Sequence, residues 1–502
     1  MKRGACLNPN ILLIMADQFQ ADCLGCYGHP VVQSPNIDGI SRNGVVFDSC
    51  YSPSPLCAPS RASLFSGLLP NGNGVYDNGA EFLASIPTLV HYLRVNGYRT
   101  VASGKLHFIG PDQLHGFEYR LTTDIYPAGF DYIPGDWTDG IQRSRGASVG
   151  VLKESGICRR SLQMDYDDLA HFRALEALYE IARFGSGQPF FMTVSYTHPH
   201  DPFYITAPYW FRYSNGDIAL PQVTSEMVVE HPYDKWLNYH HSIDVLPPTP
   251  DDILRSRHAY YGMISYIDDK VGELIDVLRQ TDQLENTIVV FTADHGEMLG
   301  ERGMWFKRSM YEMSTRVPLI ISWPLEFPSH RVSVPVSLLD LFPTMVSLLG
   351  NKLNVPLDGS DLRPFLCGNA TAHRPPVISE YLGEGIEQPV RMVREGSLKF
   401  VYVHGQAEQL YDLDVDPNEL SNIANDKSMM DKRSHLRSVA LSNWNPEEQK
   451  RLVIKSQTDR RFLRKVHREG QPVTWDFEPD CQERFRFVRG QPTQAANEQQ
   501  RL

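Results

Sequence analysis

The feature that most constrains the fold is a series of short β-branched or aromatic apolar runs recurring between amphipathic stretches over hundreds of residues. Asn10 to Ala16, Arg99 to Gly104, Pro189 to Tyr196 and Thr287 to Ala293 are such runs, each bounded by polar or turn residues. A run that is apolar throughout suits a strand covered on both faces, as in a parallel sheet. Between them, Ile86 to Asn96, Asp165 to Phe184 and Asp251 to Thr281 space apolar residues three and four apart, which predicts helices. Alternation of this kind implies an α/β fold with a large, mostly parallel sheet sandwiched by helices. From about Pro375 the texture changes. Val377 to Tyr381, Val390 to Arg394, Lys399 to Val403 and Gln409 to Asp412 predict a small antiparallel sheet, followed by a basic helical stretch from Asn425 to about Gly470. We expect a main α/β domain over 1–372 and a C-terminal α+β subdomain with an extended tail over 373–502.

In open α/β sheets, ligands bind beyond the carboxyl ends of the strands. Here those ends are followed by Asp17-Gln18, by Gly104-Lys105-Leu106-His107, by Thr197-His198-Pro199-His200-Asp201-Pro202, and by Asp294-His295-Gly296-Glu297. A single histidine in such a place is more often structural than functional. Four strand ends delivering acids, a lysine and histidines to one rim reverse that preference and point to a catalytic or binding site.

Composition narrows the class of ligand. Lys and Arg total 48 against 60 Asp and Glu, a formal net charge of −12, which argues against a nucleic-acid-binding protein because such affinity rests on neutralising phosphates. The eight cysteines are scattered along the chain, which reads as reduced thiols and a cytoplasmic protein. Ile11 to Met15 is too short for a signal segment or a membrane span, so no membrane association is expected. Cys23-Leu24-Gly25-Cys26 has redox or zinc spacing, but no second pair follows it, and ordinary buried thiols are the better reading.

One string is more specific than the rest: Cys57-Ala58-Pro59-Ser60-Arg61-Ala62-Ser63-Leu64-Phe65-Ser66-Gly67. A cysteine at a loop-to-helix junction, with Pro and Ser in the first turn and Arg one turn on, lies where the helix terminus and a guanidinium both favour negative charge. The string resembles the signature of the type I sulfatases of the alkaline phosphatase superfamily. In that family the cysteine is oxidised to formylglycine, whose hydrated aldehyde is the nucleophile. The resemblance implies a formylglycine-generating maturation enzyme as a partner, Cys57 as the modified residue, and Arg61 beside it.

The same resemblance extends over most of the chain. Asp17, Asp294, His295 and the Cys57-derived oxygen match the metal site, with Gln18 where many members carry a second aspartate. One divalent ion is implied, calcium ahead of magnesium or manganese. Lys105 and His107 match a Gly-Lys-x-His element, His200 matches Pro-His-x-Pro, and Lys307 matches the lysine that contacts sulfate. By resemblance, the hydrate, deprotonated by Asp294, attacks sulfur while His200 or Lys307 protonates the leaving alcohol, and His107 then drives release of sulfate. A sulfate monoester needs such cations around its oxygens and a donor at the departing oxygen.

Within the family, Gly104 to Glu118, Thr197 to Phe203 and Glu380-Tyr381-Leu382-Gly383-Glu384-Gly385 are similar to the choline-sulfatase branch. That implies a small sulfate ester, choline-O-sulfate, as substrate and a homo-oligomer, dimer or tetramer. A trimethylammonium group calls for aromatic faces and a carboxylate, and Tyr132 and Glu384 are the expected members of that cage, with Asn78 near the sulfate. Other aryl or sugar sulfates, a phosphonate or phosphodiester hydrolase, and a sulfate-ester-binding protein with unmodified Cys57 are the alternatives.

Overall fold

The computed structural model describes residues 8–130, 137–144, 146–185, 187–350, 355–369, 372–470 and 475. Among these the strands are β1 (Asn10–Ala16), β2 (Val45–Tyr51), β3 (Arg99–Gly104), β4 (Tyr119–Arg120), β5 (Gly156–Cys158), β6 (Phe190–Ser195), β7 (Tyr204–Thr206), β8 (Thr287–Ala293), β9 (Arg316–Ser322), β10 (His330–Val332), β11 (Val336–Ser337), β12 (Val377–Tyr381), β13 (Val390–Glu395), β14 (Leu398–Val403) and β15 (Gln409–Asp412). The longer helices are α1 (Pro35–Arg42), α2 (Cys57–Ser66), α3 (Leu89–Val95), α4 (Leu162–Phe184), α5 (Pro232–His240), α6 (Pro250–Gln280), α7 (Leu341–Leu348), α8 (Met430–Ala440) and α9 (Pro446–Glu469).

The main sheet runs β10-β2-β9-β8-β1-β6-β3-β4, with β11 also paired to β2. β1 is central and parallel to both neighbours, with Ile14 level with Val194 of β6 and Phe291 of β8. Only β9 runs against the rest, antiparallel to β2 and β8. Every residue of β6 and β8 is buried, and so is all of β1 after Asn10, which is why these strands read as continuous apolar runs. Helices α1, α4 and α6 pack as one group, and α2, α3 and α7 as another. Helix α4 starts earlier than the apolar spacing predicts, at Leu162, because the Ser161 hydroxyl accepts from Met164 N at 3.2 Å and caps its first turn.

The C-terminal strands form the expected antiparallel sheet in the order β12-β13-β14-β15. The basic stretch after it is two helices rather than one: the Asn445 side chain accepts from Glu447 N and Glu448 N and opens α9, with Pro446 at its first position. Apolar residues of this sheet share a core with Tyr51, Leu56, Met298 and Met310 of the main α/β region. The six cysteines among the described residues are free thiols. No helix among those residues is long and apolar enough to cross a membrane.

Candidate active site

Strands β8, β1, β6 and β3 are consecutive neighbours, so their carboxyl ends deliver Asp294, Asp17, His200 and Lys105 to one rim. Gly104 is required there. Its φ is +95°, and a Cβ would lie 1.9 Å from the Ser195 carbonyl oxygen, so only glycine lets the chain leave β3 this close to β6.

Helix α2 brings Cys57 and Arg61 together. Cys57 is its first residue and Arg61, one turn on, is 1% exposed. Arg61 Nε donates to Asp294 Oδ2 at 2.8 Å and Nη2 to Asp17 Oδ2 at 3.1 Å, while Nη1 donates to Lys105 O and Ser195 Oγ at 2.7 and 2.8 Å. One guanidinium thus ties four strand ends. Ser60 and Ser52 hydroxyls both donate to the Asp294 carbonyl oxygen at 2.6 Å, which fixes that residue's backbone.

Asp17, Cys57, Asp294 and His295 are all buried, and one ligand atom from each lies within 4.8 Å of the others. His295 Nδ1 faces the Gly296 carbonyl at 3.0 Å, which sets the tautomer and leaves Nε2 turned to Cys57 Sγ at 3.2 Å and to Asp17 and Asp294 at 3.8 and 3.7 Å. Two carboxylates, an imidazole and the Cys57 side chain at this spacing fit a divalent cation. Gln18, expected among these ligands, is engaged elsewhere. Its amide donates to Asp201 Oδ1 at 3.1 Å and to Glu297 Oε2, and its carbonyl oxygen accepts from Lys307 Nζ.

Cations crowd the Cys57 side. Lys105 Nζ binds Asp17 Oδ2, and Lys307 Nζ lies 2.5 Å from His200 Nε2. Burial pushes the Cys57 thiol up, but Lys105, Lys307, His295 and a hydrogen bond from His107 bring it well below its ordinary value. Burial and Cys57 likewise raise Asp17, and Lys105, His200 and Arg61 outweigh them to hold it as a carboxylate. The buried His107 Nδ1 has no hydrogen-bond partner, and its ring stacks on Tyr126 at 4.6 Å. The sequence-predicted Cys57, Arg61, Lys105, His107, His200 and Lys307 therefore converge on one point.

The outlying candidates are more varied. Asn78 Oδ1 accepts from Ala58 N at 3.0 Å, at the start of α2. Glu384 accepts from Arg308 Nη2 at 2.7 Å through Oε1, while its buried Oε2 has no partner. Gly385 beside it has φ +82°, and a Cβ there would meet the His240 ring at 2.8 Å. Trp137 donates its indole N–H to Gly383 O at 2.9 Å. Tyr132 lies outside the described residues.

The model of the sulfatase family matches residues 9–351. The chain belongs to the sulfatase family. It is a sulfuric ester hydrolase, and a second model, that of the N-sulphoglucosamine sulphohydrolase C-terminal region, matches residues 300–443. The sulfatase is 39% identical to the choline-sulfatase of Rhizobium meliloti (strain 1021), over 96% of each chain. It is 31% identical to the uncharacterized sulfatase YidJ of Escherichia coli (strain K12), over 86% of each. Among solved structures, the phosphonate monoester hydrolase of Agrobacterium radiobacter matches with a TM-score of 0.70 at 25% identity, over 86% of this sulfatase and 95% of that chain.

Sequence reasoning missed several residues of the sulfatase site. Asp124 Oδ2 accepts from Leu106 N and His107 N at 2.9 and 2.8 Å and holds the His107 turn, where φ is +57°. Asp167 accepts from Thr197 N and His198 N at 2.7 and 3.0 Å and anchors the loop that carries His200. Asp124 is a lone acid in a loop and Asp167 is one of three acids, with Asp165 and Asp168, on the first turns of a helix, so no local pattern singles either out. Arg308, the partner of Glu384, could have been noticed as a second cation directly after Lys307.

Proposed function

We propose that this sulfatase hydrolyses choline-O-sulfate to choline and sulfate, using a formylglycine made from Cys57 and one divalent cation, calcium ahead of magnesium or manganese. The observation that carries the substrate is the 39% identity to a choline-sulfatase over 96% of both chains. Glu384 supports it, because a buried carboxylate oxygen without a partner suits a cation that cannot donate a strong hydrogen bond.

Asp17, Asp294, His295 and residue 57 would hold a divalent ion, which would supply positive charge to the sulfate ester and the nucleophile. The chain's own groups do the rest. Arg61 holds the two carboxylates at fixed separation, and Asp294 takes the proton of the attacking hydroxyl. Lys105 and Lys307 face the sulfate oxygens, and the His200–Lys307 pair delivers a proton to the departing oxygen. His107, hydrogen-bonded to the Cys57 side chain, is the base for sulfate release. Cys57 is 1% exposed, so the maturation enzyme would act before this segment packs. We place the enzyme in the cytoplasm as a homo-oligomer.

A second reading, phosphonate or phosphodiester hydrolysis, is favoured by the TM-score of 0.70 with a phosphonate monoester hydrolase. One experiment separates the two. The chain is co-expressed with a maturation enzyme, the Cys57 peptide is weighed by mass spectrometry, and kcat/KM is measured on choline sulfate, an aryl sulfate, a sugar sulfate and an aryl phosphonate ester. Choline sulfate should lead the panel. A higher value on any other ester would refute the substrate, and an unmodified thiol at residue 57 in an active preparation would refute the nucleophile.

A further inference from the structure

The C-terminal helix α9 contacts two loops that adjoin the candidate active site. Its buried face carries Gln457 and Arg460, three residues apart and so on one side of the helix. Arg460 places both terminal nitrogens on the carboxylate of Asp77, at 3.0 and 2.6 Å, and Asp77 is itself fully buried. Asp77 Oδ1 also accepts from Gly79 N at 2.9 Å, so the turn around Asn78 is held from both sides.

What that turn holds is the nucleophile helix. The first N–H groups of any helix lack intrahelical partners. In α2 the N-cap residue is Leu56, which makes no side-chain cap hydrogen bond. The carboxamide of Asn78 takes over, accepting from Ala58 N at 3.0 Å, next to Cys57. One turn earlier on α9, Gln457 Oε1 accepts from Trp137 N at 3.0 Å, and the Trp137 indole holds Gly383 beside Glu384. One face of a C-terminal helix therefore grips both the loop that caps the nucleophile helix and the loop beside Glu384.

We infer that Arg460 is a positioning residue of the active site: by fixing Asp77 it sets Asn78 against the first turn of α2 and so aims the side chain at position 57. A planar, bidentate guanidinium fits this role because it fixes orientation as well as distance. The kinetic part of the inference rests on the ester-hydrolase reading; the capping part does not.

The test uses the full-length matured chain and the variants Arg460→Met, Arg460→Lys and Asp77→Asn. Hydrogen exchange measured by mass spectrometry should accelerate at least fivefold in the segments covering 57–60 and 76–79 in Arg460→Met, with the strands of the main sheet unchanged. On the best ester of the wild type, kcat per mole of formylglycine should fall at least tenfold while KM moves less than threefold, and Arg460→Lys should recover part of the loss. Uniform acceleration of exchange, or a lowered Tm with kcat within twofold of wild type, would reduce Arg460 to a structural staple and overturn the inference. If Arg460→Met does not fold, Asp77→Asn gives the same two readouts. Failure of the functional reading would show separately, as a wild-type chain that turns over no ester of the panel while the exchange pattern still responds to Arg460.

Discussion

Arg61 Nε lies 2.8 Å from Asp294 Oδ2, and the same guanidinium reaches Asp17 Oδ2 at 3.1 Å, so one buried cation spans both carboxylates of the candidate metal-binding cluster. Its primary consequence is electrostatic. Two carboxylates at this separation repel unless a cation lies between or against them. Arg61→Met should therefore destabilise the metal-free protein by about 3–5 kcal/mol, as expected when one partner of a buried ion pair is removed. Adding the divalent ion should recover much of that loss. Chemical denaturation of wild type and variant, each with chelator and with calcium, measures both effects. Equal losses with and without the ion would show that Arg61 does not serve the carboxylates.

Gln18 stands where many sulfatases carry an aspartate, and its contacts give a reason. Its amide donates to Asp201 and Glu297 together, and burial, reinforced by Asp201, already pushes the Glu297 carboxyl up to about 7. Gln18→Glu would replace a shared donor with a third acid. The variant should lose about 2–4 kcal/mol at pH 8, and less at pH 5, where protonated carboxyls can donate to one another. Denaturant midpoints at the two pH values decide it; a loss independent of pH would point to packing instead.

Much of this site could be read in the sequence because of a physical coincidence. The central strands are apolar on both faces, so the first polar or charged residues after each run mark the rim: Asp17, Lys105 and Asp294 stand directly there, and His200 lies three residues beyond Thr197 on the same loop. The Cys57 string is local and specific. β2 and β9 were harder, since Val45–Tyr51 mixes Asp48 and Ser49 with apolar residues and β9 opens on Arg316 and carries Pro318. Partners brought together only by the fold left no trace. Asp77 and Arg460 are 383 residues apart, and nothing in either neighbourhood announces the other. Gln18 could be recognised as a departure from the family pattern, but the Glu297 and Lys307 contacts that explain it could not.

Glu384 offers a direct test of the leaving-group side. Arg308 occupies Oε1 at 2.7 Å, so Glu384→Gln can keep that acceptor and lose only the charge. KM for choline sulfate should rise roughly tenfold, about 1.4 kcal/mol, relative to any change for a neutral aryl sulfate. Because loss of the Arg308 ion pair affects both substrates, the ratio of the two KM changes is the quantity to read. A ratio near one would remove Glu384 from cation recognition.

His240 predicts how the fold responds to acid. Burial, with Arg308 nearby, pushes its imidazole down to about 3, and only the Gln142 carbonyl, 2.6 Å from Nδ1, acts the other way. A histidine depressed in the folded state binds its proton more tightly when unfolded. Its stabilising contribution is therefore complete above the ordinary value of 6.5 and is lost as pH falls from there toward 3. The expected slope is about 1.4 kcal/mol per pH unit from this one group. His240→Asn can retain the donor to Gln142 O and has nothing to titrate. Unfolding free energies of the two proteins between pH 7 and pH 5 should thus converge as pH falls, the variant starting lower from lost packing against Gly385. Parallel curves would mean that His240 takes up no extra proton on unfolding.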